Sequence, residues 1–262
     1  MARVLARPRA IAFACIVVLP VLGWAALALM VANSETGDAA SWLDVLCRAA
    51  PLPSSGSVSV LMAEWAIALG MWAAMTLAMM LPAAGPMILT YAEIAETAQR
   101  KGEPIVAPLV LTAGYLAVWL GFALFVSLLQ VAASRAGLFE PRQTLPGVSA
   151  ALFLAAGLYQ FSPLKHACLS QCQRPLPFFF AHWKTSAPGV FGLGLRQGAY
   201  CLGCCWALML LMLAAGAMNM VWAAALAVIM SVEKLTTSTR LSHLVGVVLV
   251  VSGFGLLLWS CW

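Results

Sequence analysis

Long apolar blocks constrain this chain more than any other feature. Stretches such as IAFACIVVLPVLGWAALALMV, which carry no charge, match the roughly 20 residues that a helix needs to cross a hydrocarbon core ~30 Å thick. Composition agrees, because 63% of residues are hydrophobic and 9% charged, whereas globular chains carry roughly a quarter charged residues. No alternating pattern of barrel strands is present. The expected fold is all-α, a polytopic transmembrane helical bundle with six or seven spans and a cytoplasmic N-terminus.

Seven spans are placed at 10–32, 61–86, 107–133, 148–164, 195–215, 217–232 and 242–261. The sixth is short and follows the fifth almost at once, through Gly216, Ala217, Met218 and Asn219, so this pair forms a tight hairpin or does not cross fully. Basic residues set the orientation. Arg3, Arg7, Arg9, Arg100, Lys101, Lys165, Arg174, Lys184, Arg196, Lys234 and Arg240 fall on one side, and only Arg48, Arg135 and Arg142 on the other, the asymmetry that the positive-inside rule associates with the cytoplasm. The formal charge of +5 therefore reflects topology and does not point to nucleic acid. Basic residues before an apolar run also suit a secretory leader, but the length of the first run favours a retained anchor.

Residues 1–60 divide as an anchor helix and an extracytoplasmic loop, with the Pro- and Ser-rich stretch AAPLPSSGSVS. Residues 61–262 form a single helical domain. Within it, 165–195 is a cytoplasmic segment rich in Cys, Pro and Phe, expected as an amphipathic or re-entrant element at the membrane surface.

Sulfur is concentrated in QGAYCLGCCWALMLLM, residues 197–212. At about 100° per residue, Cys201, Cys204, Cys205, Met209 and Met212 share one sector of a helix. Thiolates and thioethers are soft donors that select Cu(I), and where thiolates dominate also Zn(II). Buried Cys and Met are equally ordinary packing residues. The second span adds Met71, Met75 and Met79 at i, i+4 and i+8, stacked on one face. Glu64 lies in the same sector, as an intramembrane carboxylate or as a solvated group at the outer headgroups. Met80 points to the opposite face from Met71. Pro82 and Pro86 should disturb the end of that span and free carbonyls. In KHACLSQC, Cys168 and Cys172 stand at i, i+4, and His166 offers an imidazole. Glu233 and Lys234 suggest an ion pair closing the sixth span, or its cytoplasmic cap.

MWAAMTLAMMLPAAGP, LKHACLSQCQRP and the block from Gly198 to Met209 with the GAMNM that follows resemble bacterial proteins catalogued as predicted metal-binding integral membrane proteins. That family is a domain of unknown function, some of whose members are labelled copper chaperones. The resemblance spans about 60–235 and marks Met75, Met79, Met80, Pro82, Cys168, Cys172, Cys201, Cys204, Cys205, Trp206 and Met209 as motif positions.

The expectation is a non-enzymatic protein of the bacterial inner membrane. It would bind a soft metal ion, Cu(I) before Zn(II), through Cys201, Cys204, Cys205, Met209, Met212, Met71, Met75, Met79, Cys168 and Cys172. The ion would be transported or handed to a partner, with the lipid bilayer and a soluble or membrane metallochaperone as further partners and no nucleic acid. The expected lane runs from the methionines at mid-depth to Cys201, Cys204 and Cys205, then to Cys168 and Cys172 at the cytoplasmic surface. Two alternatives stand beside this: a membrane thiol-disulfide oxidoreductase, and a scaffold or assembly factor whose sulfurs only pack.

Overall fold

The computed structural model describes residues 8–33, 58–137, 146–215 and 220–260. The loop expected over 33–60, with Cys47, the connection Gly216 to Asn219 and the terminal Cys261 lie outside or largely outside the described residues.

Every described element is helical: α1 Pro8–Asn33, α2 Val58–Met75, a π-helical turn Thr76–Met80, α3 Leu81–Ala83, α4 Gly85–Arg100, α5 Pro108–Arg135, α6 Pro146–Tyr159, α7 Pro163–Gln173, α8 Pro175–His182, α9 Ala187–Ala215, α10 Met220–Leu235 and α11 Arg240–Ser260. The chain is an all-α bundle. Among the described residues five stretches are long and apolar enough to cross a bilayer: Pro8–Met30, Leu61–Ala83, Pro108–Arg135, Ala187–Leu213 and Arg240–Trp259. A sixth is reached if α6 and α7, bent by 65° at their junction, count as one broken span. The short sixth expected span, 217–232, corresponds to α10, whose 16 residues extend only about 24 Å at 1.5 Å per residue. Large apolar side chains on α1 and α11, among them Phe13, Val21, Leu22, Val251, Phe254 and Leu258, face outward, as insertion into lipid would have them.

The centre of the bundle is the α5–α9 pair. Gly114 of α5 meets the Phe191 carbonyl, and Gly194 of α9 meets the Leu111 carbonyl, so closely that a Cβ at either position would overlap backbone. Small residues admit this approach, which packing inside a membrane favours. Helix α2 and the π turn pack on another side of α5, α7 lies along α9, and α10 touches α9, α3 and the π turn. The sulfur-bearing elements are thereby gathered around α5.

Pro82 explains the irregular end of α2. Proline has no amide hydrogen to return to the preceding turn, and the helix widens to π geometry just before it, at Thr76–Met80. The wider turn changes the phase of the methionines. Met80, expected on the face opposite Met71, is fully buried along with Met75 and Met79.

Candidate metal centre

The 29-residue α9 carries Cys201, Cys204, Cys205, Met209 and Met212 at spacings of three and four, and all five side chains are buried. Cys204 Sγ lies 3.3 Å from Cys205 Sγ and donates to the Cys201 carbonyl at 3.2 Å. The helix spacing alone therefore collects three thiols within one turn.

Three further groups reach this turn from other elements. Cys172 of α7 lies beside Cys201 and Cys204, near enough for its thiol to interact with both. Tyr115 of α5 sets its hydroxyl 2.9 Å from Cys201 Sγ and donates to the Met80 carbonyl at 3.0 Å. Lys234, near the end of α10, donates from Nζ to Cys201 Sγ at 2.9 Å. All described cysteines are free thiols.

The bend at the α6–α7 junction delivers Cys172. Ser162 caps α7 by accepting from the Leu164 amide, with Pro163 in the first turn, a combination that starts a new helix. The ladder that would have continued α6 straight is thus broken inside the span expected at 148–164. The new helix runs back along α9. Cys172 consequently belongs to the same cluster as Cys201 and Cys204, where the sequence placed it at a separate surface station. Cys168 is half-buried beside it, its Sγ filling the space next to Gly203.

Helix α7 is held in this position by charge. Lys165 Nζ pairs with both carboxylate oxygens of Glu233 at 2.9 Å and bonds Gln160 Oε1, and both charged side chains are only 1% exposed. Gln173 Nε2 adds bonds to the Glu233 and Thr236 carbonyls. Glu233 and Lys234 therefore do not close the helix end as a mutual pair. Each serves a different neighbour, Glu233 the Lys165 ammonium and Lys234 the cluster.

The methionines occupy the same buried core as the thiols. Met71, Met75 and Met79 lie on the α2 and π-turn side of α5, and Met209 and Met212 on α9. Among the described residues α2 and α9 share no extended backbone contact, whereas α5 packs against both, and Tyr115 reaches from it to the Met80 carbonyl and to Cys201 Sγ. Other expectations resolve differently. Glu64 is buried and pairs with Arg135 at 3.0 Å, joining the ends of α2 and α5. His166 turns from the thiols toward His243, with ring centroids 5.5 Å apart. Cys15 of α1 lies beside Thr112 of α5.

The donor set suits a soft ion, since the groups brought together are thiols with thioethers further along the same helix. Among the described residues no group of three or more His, Cys, Asp or Glu side chains stands ready to hold a metal ion. Local hydrogen bonds engage the thiols instead, and a metal ion would have to replace some of them and release protons. Tyr115 and Lys234 were absent from the sequence-based set of site residues. A lysine at the end of an apolar helix was the available signal for one of them.

A family model described as Copper chaperone matches residues 69–256. No curated protein and no solved structure matches the chain.

Proposed function

The chain belongs to the copper chaperone family over residues 69–256, and on that premise we propose that it is a multi-pass protein of a bacterial inner membrane that binds Cu(I) and passes it on. The observation that carries this is the approach of the half-buried Cys172 of α7 to Cys201 and Cys204, which are buried with Cys205 on one turn of α9. Thiolates bind Cu(I) strongly, and a dry site strengthens every charge interaction within it.

Met209 and Met212 continue the sulfur face for two turns beyond Cys205, and Met71, Met75 and Met79 supply thioethers across α5. Thioethers hold Cu(I) more weakly than thiolates, so a series of such sites accepts the ion and releases it toward the cluster. With the N-terminus in the cytoplasm, that gradient runs inward, and Cys168 and Cys172 stand at its end. A soluble or membrane metallochaperone would take the ion there. Zn(II) is the less suitable cargo. No phosphate-binding loop is evident in the sequence, so movement follows the concentration gradient or a partner.

Elemental analysis of protein purified under reducing conditions tests the proposal. Copper near one equivalent is expected in the wild type and loss of it in the C201S/C204S/C205S triple variant. No copper in either after loading would overturn it. The close Cys204 and Cys205 sulfurs also support a second reading, a thiol oxidoreductase, which needs no methionine.

A further inference from the structure

Lys234 is the least expected member of the cluster. It is buried, and among the described residues its one hydrogen bond goes to Cys201 Sγ. The acid beside it, Glu233, is already engaged by Lys165. A buried ammonium without a carboxylate is costly unless something nearby carries negative charge, and the groups at hand that can supply it are thiols.

We propose that Lys234 is the built-in counter-cation of the site and sets its preference for a monovalent ion held by two thiolates. The inference rests on the Cu(I) proposal above and adds its selectivity. Two thiolates and one Cu(I) carry a net charge of 1−, which the ammonium neutralises. Four thiolates around Zn(II) carry 2−, leaving an uncompensated charge in a dry site beside a single lysine. A three-thiolate zinc would be balanced, but zinc completes its tetrahedron with a fourth donor. Lys234 and Tyr115 occupy two of the approaches to Cys201, and among the described residues no group of three or more Cys, His, Asp or Glu side chains stands ready to hold a metal ion, so a four-donor zinc site is not preformed. Charge count and crowding thus favour the same low-coordinate monovalent complex.

The test uses the full chain in detergent as wild type, Lys234→Leu and Lys234→Arg. Each is loaded anaerobically with Cu(I), with Zn(II) or with an equimolar mixture, then assayed by elemental analysis and by competition with a chromophoric Cu(I) chelator. Leucine removes the charge without adding a sulfur donor, and exchange of a buried charge for an apolar group is often tolerated. Copper affinity in K234L is expected to fall by about tenfold or more, the scale of one charged hydrogen bond, with the copper-to-zinc ratio falling as well, while K234R keeps the wild-type ratio. A folded K234L with wild-type affinity and ratio overturns the inference. If K234L does not fold, K234R decides, because a folded arginine variant that has lost the preference for copper overturns it equally and one that keeps it supports it. Failure of the Cu(I) proposal is separately visible, as a wild type that binds no copper.

Discussion

Tyr115 joins the π turn to the thiol cluster: its hydroxyl lies 2.9 Å from Cys201 Sγ while donating to the Met80 carbonyl at 3.0 Å. That carbonyl also accepts from the Ala84 amide at 3.1 Å, so removal of the phenol oxygen leaves it satisfied. Cys201 then loses one of the groups from other helices that reach its sulfur. Tyr115→Phe is therefore expected to cost about 1 kcal/mol in stability and to weaken Cu(I) binding several-fold without abolishing it. Thermal unfolding beside chelator competition measures both, and an unchanged copper affinity would remove Tyr115 from the site.

The face shared by Cys201, Cys204, Cys205, Met209 and Met212 was legible in the sequence because helical spacing fixes their relative angles. The addition of Cys172 was less so, since it depends on the 65° bend between α6 and α7. Its signal was present all the same, in Ser162 and Pro163, a cap and first-turn pair inside a presumed span. The phase of Met79 and Met80 was not legible from a 100° wheel, because the π turn alters the angle per residue. Tyr115 and Lys234 were missed for a different reason. Each acts across an interface between helices, and spans do not reveal which helices are neighbours.

The Lys165–Glu233 pair holds α7 against α10, and both partners are almost wholly buried. Removal of one partner leaves a stranded charge, which typically costs about 3–5 kcal/mol. Lys165→Met or Glu233→Leu alone should lower the unfolding midpoint strongly and increase labelling of Cys172 by a small thiol reagent. The double variant should recover most of the stability, because neither charge then remains. A double variant no better than either single would show that the pair is not the latch of α7.

Methionine separates copper passage from thiol redox chemistry. Met71, Met75 and Met79 are buried, and exchange of Met for Leu conserves volume well enough to cost less than about 1.5 kcal/mol per site. The triple Met→Leu variant should fold and keep the copper bound at the cysteines. Its rate of copper uptake into proteoliposomes should fall by about tenfold or more, since a path that has lost one coordinating step gains a barrier of at least 1.4 kcal/mol. An unchanged rate would favour the oxidoreductase reading.

Cys168 and Cys172 sit one turn apart on α7 and should behave differently. Cys172 lies beside two thiols of the cluster, so Cys172→Ser replaces a soft donor next to them and should weaken copper binding more than Cys168→Ser does. The contact of Cys168 is with Gly203, where an added Cβ would lie 2.6 Å from Cys168 Sγ and 3.3 Å from its Cβ. Gly203→Ala is therefore expected to crowd Cys168 and to shift α7 by a few tenths of an ångström, moving Cys172 with it and weakening copper binding although no ligand has been changed. Truncation of the obstructing sulfur relieves the overlap, so the double variant G203A/C168A should bind copper better than G203A alone. Copper affinities of the four variants form a cycle in which a large coupling between positions 203 and 168 shows that the placement of α7 matters to the site. Independent effects at the two positions would mean that Cys172 does not depend on the seating of this helix.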